Sequence, residues 1–81
     1  MADLAERIVV DPSVMGGKPV VRGTRVTVER VLSLLAQGLP MTELLKEYPY
    51  LTEDDVRACL AYGASLAGSE EIIPFPESRP A

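Results

Sequence analysis

A chain of 81 residues, 47% of them apolar, makes one small domain whose core is modest, so association into a dimer is the expected remedy. Eight Lys and Arg stand against twelve Asp and Glu, a formal charge of −4, with no histidine and a single cysteine; intrachain disulfides and histidine chemistry are excluded. No run approaches the roughly 20 apolar residues a membrane span requires.

The charge is unevenly placed. Residues 1–30 hold five cations (Arg7, Lys18, Arg22, Arg25, Arg30) and four acids (Asp3, Glu6, Asp11, Glu29), whereas residues 31–81 hold three cations and eight acids. An acidic total therefore leaves room for a local polyanion site near the front. The opening Met1 to Arg7 has acids where a secretory signal carries cations, and Cys59 lies in an apolar helical pattern as a buried thiol would, so a cytoplasmic protein is expected.

In chain order, Ile8-Val9-Val10 reads as a short strand stopped by Asp11-Pro12-Ser13. Pro19-Val20-Val21 is a second, held to a sheet edge because Pro19 lacks an amide hydrogen. Gly16-Gly17 opens the run between them, Arg22-Gly23-Thr24-Arg25 bends it, and Val26-Thr27 returns as a third short strand. So few short strands need helices or a second copy to cover them.

From Thr27 the apolar period changes from two to about 3.6. Val28, Val31, Leu32, Leu35 and Leu39 form one stripe, capped by Thr27 and ended by Gly38. A second helix, from about Pro40 to Tyr48, carries Met41, Leu44, Leu45 and Tyr48 on one side and closes at Pro49. The third opens with Thr52 and Asp55 in capping-box spacing, with Glu53, Asp54 and Asp55 where the helix dipole favours acids. Its expected inner face is Val56, Cys59, Leu60, Gly63 and Ala67, with Tyr62 and Leu66 adjoining. The small residues Ala58, Ala61, Gly63, Ala64 and Ala67 let another backbone approach, either within the chain or across a dimer.

The fold class that follows is mainly α: three helices with a short N-terminal β element over residues 1–67, expected to be dimeric. Residues 68–81 carry three prolines and no helical period and are expected to form an extended tail. Ile72, Ile73 and Phe75 in that tail suit a groove or sheet edge on a partner, or fold back on the domain itself.

The order Arg7-Ile8-Val9-Val10-Asp11-Pro12, then Gly16-Gly17-Lys18-Pro19-Val20-Val21-Arg22-Gly23-Thr24-Arg25-Val26, then Gly38-Leu39, Tyr48-Pro49 and Leu51-Thr52-Glu53-Asp54-Asp55-Val56-Arg57-Ala58, resembles the family called domain of unknown function 433. The resemblance implies a dimeric helix-turn-helix-like body and the role of an antitoxin in a type II toxin-antitoxin pair, often beside a PIN-like ribonuclease. One departure is Leu39-Pro40-Met41, where family members commonly place a Ser or Thr cap before the proline.

Helix chemistry bears on where DNA would be met. A recognition helix presents its N-terminal residues to the major groove, but here those are Thr52, Glu53, Asp54 and Asp55, with only Arg57 to offset them. The expected DNA contacts are therefore Lys18, Arg22, Thr24, Arg25 and Arg30, with Arg57 as an addition. Cations of this kind bind phosphate and give affinity rather than sequence choice. The competing expectation is that the hairpin arginines pair with Asp11 or Glu29.

For the nuclease partner, the expected contacts are Ile72, Ile73 and Phe75 as anchors and Arg79 as the cation approaching an acidic metal centre. The alternative is a protein-interaction adaptor with no nucleic-acid role. An enzyme is disfavoured: Cys59 lacks a basic partner, Gly16-Gly17-Lys18-Pro19 does not have phosphate-loop spacing, and adjacent acids at 53–55 point in different directions, so no cofactor or metal is expected.

Overall fold

A computed structural model of the chain describes residues 4–68. The expected tail, with Ile72, Ile73, Phe75 and Arg79, lies outside the described residues. After a single 3-10 turn over Leu4–Arg7 come β1 (Ile8–Val9), a second 3-10 turn over Met15–Gly17, β2 (Val20–Val21), and the helices α1 (Val28–Ala36), α2 (Met41–Glu47) and α3 (Glu53–Gly68). Three helices on a short N-terminal β element are the expected architecture.

The sheet is smaller than its sequence suggests. β1 and β2 pair antiparallel with Ile8 opposite Val21 and Val9 opposite Val20. The third strand is reduced to one bridge between Val20 and Thr27, because the chain turns into α1 at once. Val10 falls outside the strand and is exposed.

Helix ends follow local chemistry. Thr27 Oγ1 accepts the Arg30 amide at 3.0 Å and caps α1. At the other end Gly38 takes φ +97°, and the Gly38 and Leu39 amides donate to the Leu35 and Leu34 carbonyls, the arrangement that satisfies the last carbonyls of a helix. α2 begins after Pro40, which has no side-chain cap to offer; its carbonyl accepts the Glu43 and Leu44 amides. At α3 the capping box is reciprocal: Asp55 Oδ2 accepts the Thr52 amide at 2.9 Å and Thr52 Oγ1 accepts the Asp55 amide at 3.2 Å.

The core joins Val21, Val26, Val28, Val31, Leu44, Leu51, Val56 and Cys59, with Ile8, Leu32, Leu34, Leu35, Leu39, Met41, Leu45, Tyr48 and Tyr62 packed around it. The α1 and α2 stripes thus face inward as their period implies. On α3 the inner face is shifted: Ala58 is buried, whereas Leu60 is 45% exposed and Ala67 and Leu66 also face outward. The small residues divide in the same way. Ala58 and Gly63 face α1 and the β element, and a Cβ at Gly63 would lie 3.0 Å from Leu32 Cδ1; Ala61, Ala64 and Ala67 are exposed.

Candidate nucleic-acid interface

The turn between β2 and α1 carries the cations. Its backbone closes by Thr24 N–H to the Val21 carbonyl (3.0 Å) and Val21 N–H to the Val26 carbonyl (2.9 Å). Thr24 completes it from the side chain, donating its hydroxyl to the Val21 carbonyl at 2.8 Å and accepting the Val26 amide at 2.9 Å. The only hydrogen Thr24 could have given to a ligand is therefore committed. Its side chain shapes the turn instead of standing ready as one of the expected DNA contacts.

Two depressions meet at Arg25. One, of about 410 Å³, is lined by Val9, Asp11, Val14, Arg22, Gly23 and Arg25 among others. The other, of about 330 Å³, is lined by Met15, Arg25, Arg30, Tyr48 and Tyr50 with Val26 and Thr27. Arg22, Thr24, Arg25 and Arg30 are thus brought onto one continuous strip.

The guanidiniums on that strip are oriented but not consumed. Arg22 Nε donates to the Glu6 carbonyl at 2.7 Å, and Arg30 Nε donates to the Tyr48 hydroxyl at 3.2 Å. In each case the terminal nitrogens stay open among the described residues, and Arg25 has no described partner. A planar fork held by its Nε presents two parallel donors, the geometry that suits a phosphate. The hydrogen bond to Tyr48, aided by the nearby Glu47 carboxylate, raises the Arg30 pKa above its usual value.

Asp11 lies beside Arg22 and Arg25 on this strip. Asp11 accepts the Ser13 amide at 2.9 Å and the Ser13 hydroxyl at 2.8 Å, and these bonds lower its pKa below the ordinary carboxylate value, the backbone bond first. It does not pair with the hairpin arginines, contrary to the competing expectation.

Lys18 and Arg57 stand apart. Lys18 Nζ sits 3.0 Å from Glu29 Oε1, on the rim of a separate apolar groove formed by Pro19, Val28, Leu32, Tyr62, Gly63 and Leu66. Glu29 thus pairs with the lysine and not, as the competing expectation had it, with a hairpin arginine. Arg57 turns to Asp54 at 3.5 Å, one turn back on α3. Of the six expected DNA contacts, four share the strip and these two do not.

The partner of a further cation, Arg7, was not readable from the sequence. Arg7 Nη1 donates to Asp55 Oδ1 at 3.0 Å and its Nη2 lies 3.7 Å from Asp54 Oδ2. The Arg7 carbonyl also accepts the Arg22 amide at 2.7 Å. The first turn of α3 is therefore locked to the base of the basic turn, and its acids are partly neutralised from within. The signal was the charge of Arg7 beside a strand, which gives no partner 48 residues away.

Comparison with known proteins now places the fold. The sequence pattern described as "Protein of unknown function (DUF433)" matches residues 8–63, from β1 through most of α3. The chain belongs to the DUF433 family. A DUF433 member from Anabaena variabilis, known from a crystal structure, superposes with a TM-score of 0.73 at 35% identity, over 78% of this chain and 62% of that one. The uncharacterized protein y4eO of Sinorhizobium fredii is 36% identical over 75 residues, 90% of this chain. This chain spans about a third (34%) of that relative's length.

The matched span contains every residue of the basic strip and the whole capping box of α3. Among the described residues no cluster of three or more Cys, Asp and Glu is placed to hold a metal, and no helix is long and apolar enough to cross a membrane.

Proposed function

We propose that this DUF433 chain is the antitoxin of a type II toxin-antitoxin pair, working in the cytoplasm as a homodimer. Its body binds operator DNA through Arg22, Arg25 and Arg30 on a turn shaped by Thr24, with Lys18 and Arg57 as outlying cations. Its C-terminal segment neutralises a PIN-like ribonuclease, Ile72, Ile73 and Phe75 serving as apolar anchors and Arg79 as the cation for an acidic centre.

The observation that carries the DNA half is the convergence of three guanidiniums on one exposed strip, two of them aimed by bonds at Nε. Phosphate contacts of this kind supply affinity and register, not base choice. α3 remains unsuited to reading bases, because Glu53, Asp54 and Asp55 occupy its first turn and Asp55 is committed to Thr52 and Arg7.

A second reading, an adaptor that binds protein alone, is favoured by the apolar groove of about 310 Å³ between α1 and α3. Gel shifts with the DNA upstream of the gene, with and without the adjacent gene's product, separate the two. A shift that vanishes in Arg22→Ala plus Arg25→Ala supports the repressor; co-purification with the neighbour and no shift supports the adaptor. Replacing Ile72, Ile73 and Phe75 by alanine is expected to abolish co-purification, and undiminished association removes the tail from the mechanism.

A further inference from the structure

The groove at Arg25 and Arg30 contains more than phosphate binding requires. It is also lined by Tyr48 and Tyr50, whose ring centroids are 6.2 Å apart at 67°. An edge-to-face pair leaves at least one face of each ring uncovered by the other. Tyr50 is 61% exposed, so an aromatic surface stands open to water beside two cations.

The groove is also lined by Met15, 43% exposed and held at φ +48°. A non-glycine residue in the left-handed region stores strain, and such strain gathers at binding sites. Here it sets an apolar side chain against the groove instead of into the core.

We infer that this groove binds a single-stranded nucleic acid segment, one unpaired base lying on the Tyr50 ring with its phosphate on the Arg25 and Arg30 guanidiniums. The ring discriminates between nucleic acid forms. In a duplex both faces of each base are covered by neighbouring pairs, so a side-chain ring stacks only on a base that is unpaired. Phosphate contacts alone would serve duplex and single strand alike. Arg25 also lines the adjoining depression with Arg22, which gives the next phosphate a place and favours a strand over a mononucleotide.

The inference shares Arg25 and Arg30 with the proposed operator contact but does not depend on the antitoxin role. Its test is fluorescence anisotropy of the full chain at low salt with an oligouridylate of roughly eight nucleotides, the matching oligothymidylate, a duplex of equal length, UMP and polyphosphate. The single strands are expected to bind more tightly than the duplex or UMP. Tyr50→Ala should weaken them about tenfold, Tyr50→Phe should retain binding, and neither should alter polyphosphate binding, which Arg25→Ala should reduce. Because Tyr50 is exposed, these variants keep the fold, checked by circular dichroism. Equal affinity of Tyr50→Ala and the parent for the single strands, or no single-strand binding at all, overturns the inference. UMP binding as tightly as the oligomers overturns the strand in favour of a nucleotide. A duplex that binds while the single strands do not overturns this site and leaves the operator reading standing.

Discussion

The Arg7 guanidinium donates to Asp55 at 3.0 Å, and the same carboxylate accepts the Thr52 amide that begins α3. One side chain therefore caps a helix and fastens that helix to the β element, which also carries the basic turn through the Arg22 amide on the Arg7 carbonyl. The Asp55 side chain is largely buried, while Arg7 is about one-third exposed.

Removing Arg7 strands a largely buried carboxylate. Arg7→Met is expected to lower unfolding free energy by about 1–3 kcal/mol, below the full cost of breaking a completely buried pair because water reaches Arg7. Urea titration measures it. Asp55→Ala removes the cap as well and should cost at least as much.

Gly38 is the second point of fragility. At φ +97° an alanine is strained, although its Cβ would meet no described atom within 4 Å. Gly38→Ala is expected to cost about 1 kcal/mol by chemical denaturation, from backbone strain alone. An unchanged midpoint would show that the end of α1 adapts freely.

Burial, followed by the nearby charge of Asp55, pushes the Cys59 thiol up to about 11. In the unfolded chain it ionises near 9.0. Between those values the unfolded state releases a proton that the folded state keeps, so stability is complete below pH 9 and falls as pH rises toward 11. Cys59→Ala should flatten that decline. At about pH 8, where the thiol is still protonated, alkylation of the parent should proceed only through opening of the fold, and rapid labelling of native protein would contradict the burial.

Much of this fold was legible because its signals are local. The stripes of α1 and α2, the Thr27 cap, Gly38 and the Thr52-Asp55 box each lie within a few residues, and all appear in their expected places. What was not legible is long-range or conformational. Nothing near Arg7 names Asp55, and nothing near Met15 announces a left-handed backbone. On α3 the buried face takes in Ala58 rather than Leu60, a rotation that the local sequence does not announce. For the candidate interface, the clustered cations drew attention to this turn but gave no sign of its division: Glu29 draws Lys18 away, Asp54 draws Arg57, and Thr24 commits its hydroxyl to the turn. Tyr48 read as part of the α2 stripe, and only the fold sets it and Tyr50 beside Arg25 and Arg30.

Arg22, Arg25 and Arg30 together are expected to meet nucleic acid phosphate, and salt dependence tests this most directly. Affinity for the upstream DNA, followed across a salt series, should decline on a logarithmic plot, and Arg25→Ala plus Arg30→Ala should make that slope shallower by roughly 0.9 for each phosphate these two side chains hold. A doubly substituted protein that binds with the parent's slope contradicts the account.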